Sequence, residues 1–279
     1  MSAIVVNGRE VREKVLQELL CELENLKISR TLKLSILQYE PHSPDEVYVH
    51  SLSKVAKKLG IEVEVLRAQS HDELKDLISS KNQDEGVDGI VIQIQDKKDY
   101  LFFTSLIVPE KDVDGASPLN LGKLIRKDKG LRPATADAVI RIIKEMNFDM
   151  RGKNACVLGR SFRSGLPIAI MLMNEDATCT ICHSMTKDVK SYTLCADILV
   201  SAVGKPNFVT QDMVKEGAFV IDVGINEING KIVGDVDFEG VKEKAAYITP
   251  VPGGVGSVTD IMIFRNIIKG VKMRYEKRY

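Results

Sequence analysis

The sequence predicts an α/β fold with parallel sheets, because helical and strand patterns alternate along the whole chain. The second half contains five strand-bearing units, and a glycine-rich turn and a helix follow the first of them. This pattern is typical of a Rossmann-type domain. At 279 residues the chain can form two compact domains. We place the first at 1–135 together with a C-terminal helix at about 259–279, and the second at 136–258.

The first domain begins with an apolar stripe at helical spacing over Val11–Leu26. Ser43 as N-cap, Pro44 at the first helical position and Glu46 as the capping-box glutamate predict a helix that is stopped by Gly60. Ser70 and Glu73 predict a second capping box. We expect the strands of this domain at Leu32–Gln38, Ile61–Leu66 and Val87–Ile94.

The second domain begins near a helix at about Thr135–Met146. Another helix follows the glycine turn and ends near Asn174, and the last helix starts at about Thr259. We expect the strands at Asn154–Leu158, Ala177–His183, Asp197–Val203, Ala218–Val223 and Tyr247–Thr249.

Charge and hydropathy exclude several functional classes. Lys+Arg and Asp+Glu balance at 39 each, so no net field attracts the chain to nucleic acid or to an anionic membrane. No apolar run reaches the roughly 20 residues that span a bilayer, and the N-terminus lacks the pattern of a signal peptide. We expect a cytoplasmic protein without nucleic-acid or membrane partners.

Five cysteines, an odd number, show no paired disulfide framework. Cys179 and Cys182 form a CxxC motif, but they lie in a β-prone run where this spacing puts them on opposite faces of a strand. No second pair of cysteines or histidines completes a zinc site. We therefore interpret both cysteines as structural and predict no metal.

The turn after Asn154–Leu158 predicts a phosphate site, since main-chain N–H groups and a helix N-terminus meet there. An NAD site usually has an acidic residue at the end of the second strand. Here that strand ends in His183 and Ser184, while Arg160 and Arg163 lie in the turn. Cationic groups in this place favour a 2′-phosphate, and hence NADP. The alternative is that both arginines are solvated turn residues.

Four segments then resemble the signatures of one family, methylenetetrahydrofolate dehydrogenase/cyclohydrolase. The resemblance extends over nearly the whole chain in matching order and spacing. It implies a folate-binding first domain, an NADP-binding second domain and a homodimer joined through the cofactor domains. The segments are Lys111–Gly115, Gly159–Pro167, Cys182–Ser184 and Thr249–Gly256.

The resemblance also implies roles for individual residues. Tyr48, Gln93 and Asp114 match the family's catalytic and substrate-binding positions, with Asp114 holding the pterin ring. Asp112 matches the structural neighbour of Asp114 and is counted with the substrate site. Pro252, Gly253 and Gly256 match a loop that lines the substrate cleft in the family. We assign to the cofactor site Gly159, Arg160, Ser161, Arg163, Gly165, Pro167, His183, Ser184, Val203, Gly204 and Gly224.

The chain departs from the family around the expected folate site. The cyclohydrolase lysine, four residues after the active-site tyrosine, is replaced by Leu52, which cannot activate water. Three loops also differ from the family pattern, and the sequence does not predict their effect. They are Gln95–Lys97, Ala134–Ala136 and Ser257–Val258.

Four functions are compatible with these observations. The first is an NADP-dependent dehydrogenase of methylenetetrahydrofolate with weak or absent cyclohydrolase activity, and the second keeps both activities. The third is a dehydrogenase of another small substrate, and the fourth is a cofactor-binding paralogue without catalysis. Retention of Tyr48, Gln93 and Asp114 favours the first two, because a lost pocket need not keep all three.

Overall fold

A computed structural model describes residues 2–26, 28–228 and 230–276. The chain divides into two compact units. The N-terminal unit comprises Lys14–Ala134 and the residues from Asp260 onward, and the C-terminal unit comprises the residues up to Glu13 together with Thr135–Thr259. The placement of the first residues differs from the predicted boundary.

In the first half, strands and helices alternate as far as α4, and α5 then follows α4 without a strand between them. They are β1 (Ile4–Val5), α1 (Gly8–Glu24), β2 (Lys33–Tyr39), α2 (Ser43–Leu59), β3 (Glu62–Ala68), α3 (His71–Gln83), β4 (Gly89–Gln93), α4 (Lys97–Ser105) and α5 (Pro118–Ile125).

The elements of the second half continue the alternation as far as β7, and β9 and β10 pair with each other. They are α6 (Ala134–Glu145), β5 (Asn154–Leu158), α7 (Gly165–Asn174), β6 (Thr178–Cys182), α8 (Val189–Thr193), β7 (Ile198–Ser201), β8 (Phe219–Asp222), β9 (Asn226–Ile228), β10 (Lys231–Val233), α9 (Phe238–Lys242), β11 (Tyr247–Ile248) and α10 (Val255–Glu276).

The N-terminal unit contains a parallel sheet of order β3-β2-β4. An isolated parallel bridge joins Ile90 of β4 to Asp112, and Ile90 N–H donates to Lys111 O at 2.7 Å. The segment around Asp112 therefore runs along the outer edge of β4. In this arrangement the ends of β4 and of the neighbouring segment lie at the same sheet edge.

The C-terminal unit contains a parallel six-stranded sheet of order β1-β11-β8-β7-β5-β6. The chain winds in opposite directions from β5, since β6 lies on one side of it and β7 on the other. Ligands of doubly wound sheets bind at such a switch point, at the carboxyl ends of the strands. The first strand, β1, pairs with β11, which explains why the N-terminal residues belong to this unit.

The predicted α/β class with parallel strands is confirmed, and each predicted strand lies within two residues of an observed one. Two helix starts were wrong. The cap of α2 is His42, whose N–H donates to Asp45 Oδ2 at 2.8 Å, so Ser43 is already helical. The last helix begins at Val255, four residues before the predicted start. Helices α4 and α5 and the β9–β10 hairpin were not predicted.

Among the described residues, no helix is both long and apolar enough to cross a membrane.

Candidate active site

A line of side-chain hydrogen bonds crosses the carboxyl end of the N-terminal sheet. Arg67 Nε donates to Gln38 Oε1 at 3.0 Å, and Gln38 Nε2 donates to Gln93 Oε1 at 2.9 Å. Gln93 Nε2 then donates to the carbonyl of Asp45 at 3.2 Å. Gln93 therefore links the end of β4 to the first turn of α2.

Helix α2 carries Tyr48 one turn after Asp45. Tyr48 is partly exposed, whereas Leu52 is 0% exposed. Four residues along a helix correspond to about 40° of rotation, so the two side chains lie on nearly the same face. The place of the family lysine is thus filled by an apolar side chain that is fully buried.

Two buried charged residues hold the segment that presents Asp114. Lys111 Nζ donates to three carbonyls at the end of α3, those of Lys81, Asn82 and Asp84, at 2.7–2.8 Å. Burial lowers the pKa of Lys111 to about 8, so the amine stays mostly protonated at neutral pH.

Asp112 is fully buried and points into the unit. Its carboxylate accepts from Ala116 N (3.2 Å), Ser117 N (2.8 Å) and Asn120 Nδ2 (2.9 Å). Burial raises the pKa of Asp112. The structure thus shows Asp112 holding the loop, and its place among the substrate residues stays a prediction.

The main chain at Asp114 is also held by its contacts with the segment around Arg132 and with α10. Gly115 has φ 71°, and a Cβ there would overlap the main chain of Arg132. Asn266 Nδ2 of α10 donates to Val113 O (2.8 Å) and to Arg132 O (2.7 Å). Asp114 O accepts from Ala134 N at 3.1 Å, so the altered Ala134–Ala136 segment keeps a structural contact with Asp114.

The glycine turn of the C-terminal unit lies at the switch point of the sheet. Gly159 follows β5 with φ 110°, and a Cβ there would overlap the carbonyl of Ala202 after β7. A Cβ on Gly165, the first residue of α7, would overlap Gly159 O. Both glycines are therefore required for close main-chain approach, and Pro167 lies in the first turn of α7.

The polar residues assigned to the 2′-phosphate lie beside this turn. Arg160, Ser161 and Arg163 are exposed, and Ser161 Oγ accepts from Ser164 N at 3.3 Å. Strand pairing of Leu158 with Cys182 puts the following His183 and Ser184 at the same edge. Asp176 precedes β6 and so lies at the opposite end of that strand.

A buried carboxylate that was not predicted organises the rest of this edge. Asp235 Oδ2 accepts from Val203 N (2.7 Å) and Gly204 N (3.1 Å), and Asp235 Oδ1 accepts from Lys205 N (2.9 Å). It also accepts from Ser201 Oγ at 3.1 Å and Asn226 Nδ2 at 3.0 Å. The loop that contains Val203 and Gly204 is therefore held by one side chain.

Asp222, at the end of β8, performs a related task. Its carboxylate accepts from the N–H groups of Gly224 (2.9 Å), Asp235 (3.0 Å) and Val236 (2.9 Å). Burial raises the pKa of Asp222 to about 6, which leaves the carboxylate ionised at neutral pH. Gly224 also approaches Asp235 so closely that a Cβ would overlap its carboxylate.

The loop after β11 belongs to the C-terminal unit. Gly253 has φ 103°, and its carbonyl accepts from Gly8 N at 2.8 Å. Pro252 is exposed in the same loop, and Gly256 is exposed in the first turn of α10. The altered Ser257 and Val258 also lie in that helix rather than in a loop.

The CxxC cysteines have no arrangement suited to metal chemistry. Cys182 is buried, with its Sγ 3.8 Å from Cys156 Sγ, and Cys179 is partly buried. Burial raises the pKa of Cys179 to about 11 and also raises that of Cys182, which disfavours the reactive thiolate. Within the described ranges, no cluster of three His, Cys, Asp or Glu residues could hold a metal.

The sequence contained one signal for Asp235, which was not predicted, but none for Asp222. The tripeptide Asp-Val-Asp occurs at Asp112–Asp114 and again at Asp235–Asp237. In both copies the first aspartate is buried and accepts main-chain N–H groups. Gln38 and Asn266 had no comparable signal, because each lies in an ordinary apolar run.

A doubly wound domain with a glycine turn at its switch point defines a dinucleotide-binding protein. Two family models match the chain: the tetrahydrofolate dehydrogenase/cyclohydrolase catalytic domain over residues 6–114, and the NAD(P)-binding domain of that family over residues 133–275. The chain belongs to the tetrahydrofolate dehydrogenase/cyclohydrolase family. The resemblance noted from the sequence is thereby confirmed.

Individual relatives match this chain over nearly its full length. A bifunctional protein FolD from Clostridium novyi (strain NT) is 43% identical over 276 residues, which cover 96% of this chain and 99% of the relative. The solved structure of the bifunctional enzyme FolD from Campylobacter jejuni has a TM-score of 0.92 at 37% identity, covering 98% of this chain and 100% of that one. A Trypanosoma brucei FolD structure, complexed with NADP cofactor and inhibitor, has a TM-score of 0.92 at 35% identity, covering 99% of each chain.

Asp235→Asn should weaken NADP binding by about tenfold, because an amide NH₂ would face N–H groups that now donate to a carboxylate. Isothermal titration with NADP measures this change. The matched control is Asp237→Asn, in which asparagine caps α9 as well as aspartate does. Equal NADP affinity in both variants would contradict the role given to Asp235.

Proposed function

We propose that this protein oxidises 5,10-methylenetetrahydrofolate to 5,10-methenyltetrahydrofolate with NADP, and that its cyclohydrolase activity is weak or absent. The observation that carries the proposal is a contrast between the residues of the C-terminal unit and those of the N-terminal unit. The cofactor edge has its glycine turn and arginines in place, and the folate half keeps Tyr48, Gln93 and Asp114 but has Leu52 where the family has lysine.

Bound NADP supplies the hydride acceptor for this reaction. The main chain around Gly159 would hold its pyrophosphate at the start of α7, and Arg160 and Arg163 would hold the 2′-phosphate. The Asp114 carboxylate accepts the N–H donors at the edge of the pterin ring. Hydride departure is driven by the substrate's own nitrogen lone pairs, so these residues need only orient the substrate.

Hydrolysis of the methenyl product requires, in addition, a group that activates the attacking water. Leu52 carries no group that can accept a proton or polarise that water. The amide of Gln93 is already engaged with Gln38 and Asp45. The methenyl product is therefore expected to leave the enzyme unhydrolysed.

A homodimer formed through the C-terminal unit belongs to the same proposal. The β9–β10 hairpin exposes Ile228 (40%) and Ile232 (44%) on its two faces, and Ile225, just before β9, is 68% exposed. Exposed apolar side chains of this kind mark an association surface. A second copy of the chain is the occupant that this proposal assigns to it. A cytoplasmic location is proposed as well, supported by five free cysteines.

With methylenetetrahydrofolate and NADP, the purified protein should form NADPH while methenyltetrahydrofolate accumulates. The absorbance of NADPH and of methenyltetrahydrofolate, followed over time, measures how much methenyl product escapes hydrolysis. Asp114→Ala should lower the rate of NADPH formation by about a hundredfold, because two donors of the substrate lose their charged acceptor.

Asp128→Ala, which removes an exposed carboxylate paired with Arg126, is the control and should leave the rate unchanged. Absence of NADPH from the wild-type reaction would refute the dehydrogenase. Loss of methenyl product faster than in protein-free buffer would refute the proposed consequence of Leu52.

Light scattering after size exclusion should give a mass twice that of one chain. Ile228→Lys should shift the protein toward monomer, since burying an unpaired ammonium in an interface is unfavourable. Ile125→Lys, at a residue 64% exposed in the N-terminal unit, should leave the mass unchanged. A monomeric wild type would exclude the proposed dimer.

A further inference from the structure

The altered segment Gln95–Lys97 leads into α4. The Asp96 carboxylate caps this helix by accepting from Lys98 N (2.7 Å) and Asp99 N (3.0 Å). Tyr100 follows in the first turn and is only 3% exposed. Its hydroxyl donates to Asp114 Oδ2 at 2.6 Å. The helix that follows the altered segment thus brings a hydrogen-bond donor to the carboxylate assigned to the substrate.

Helix α4 is fixed in position, so the hydroxyl is as well. Phe103 is buried, and its ring meets the His71 ring edge-on with 5.3 Å between centroids. His71 Nε2 lies 3.1 Å from Asp99 Oδ2. Contacts on both sides of Tyr100 therefore hold the helix against the start of α3.

The Asp114 carboxylate keeps capacity for a ligand beside this bond. An ionised carboxylate offers about four lone-pair sites, and the Tyr100 hydroxyl uses one of them on Oδ2. Tyr100 is nearly fully buried while Asp114 is partly exposed, so the hydroxyl approaches from the interior. The solvent side of the carboxylate remains available to two adjacent N–H donors.

We propose that Tyr100 is a positioning residue for the substrate, whose hydroxyl fixes the plane of the Asp114 carboxylate for bidentate acceptance from the pterin edge. The proposal rests on the proposed function, since it deepens the role of Asp114. A short bond from a neutral hydroxyl to a carboxylate is among the stronger hydrogen bonds in proteins. Without it, the carboxylate would have to be ordered by the ligand at the moment of binding.

Tyr100→Phe removes the hydroxyl and keeps the ring. The variant should raise the KM for methylenetetrahydrofolate and the dissociation constant for tetrahydrofolate by about tenfold each. Its kcat should change by less than about twofold, because Asp114 contacts the ring and not the reacting carbon. In an Asp114→Ala background the same substitution should change tetrahydrofolate affinity by less than about twofold, since the acceptor is gone.

Thr104→Val is the matched control, because the Thr104 hydroxyl donates to carbonyls within α4 itself, those of Tyr100 and Leu101. It should leave the KM for the folate substrate within about twofold of wild type. A wild-type KM in Tyr100→Phe, or an equal loss of affinity in both backgrounds, would overturn the positioning role. Absence of NADPH in the wild type would refute the proposed function, and the tetrahydrofolate titration would still decide the role of Tyr100.

Discussion

A carboxylate inside a protein can accept several main-chain N–H groups at once, and it must do so because an unpaired buried charge is costly. Both units use this constraint to fix a loop beside a sheet edge. Asp112 accepts from Ala116 and Ser117 in one unit, and Asp235 accepts from three consecutive N–H groups after Ser201 in the other. Each carboxylate gives an irregular segment the rigidity that a strand would otherwise provide.

This construction suits the proposed chemistry. Oxidation of methylenetetrahydrofolate depends on orientation, and each buried aspartate fixes a segment that carries residues assigned to a ligand. Leu52 stands where the resemblance implies a lysine that activates water, and this difference leaves the two buried aspartates and their hydrogen bonds intact. In each unit a second, partly exposed aspartate lies two residues after the buried one. Asp114 can therefore accept from a ligand and Asp237 caps α9, because the buried aspartate already holds the loop.

The parallel sheets and the glycine turn were predictable, since strands such as Asn154–Leu158 form continuous apolar runs and Gly159 interrupts one abruptly. The cap of α2 was misplaced because Ser43 and His42 compete for the same turn, and the Asp45 carboxylate favours His42. Tyr100 could not be assigned from the sequence. Its contact with Asp114 depends on a helix in place of an expected loop, and on the tertiary packing of that helix.

The most direct test is amide hydrogen exchange in wild type and Asp112→Asn, read at Ala116 and Ser117. If the buried carboxylate holds the loop, exchange at these two amides should become about tenfold faster, while β5 keeps its protection. A parallel titration with tetrahydrofolate should show weaker binding. Unchanged protection at Ala116 and Ser117 would contradict the account, because the segment presenting Asp114 would then be held by other contacts.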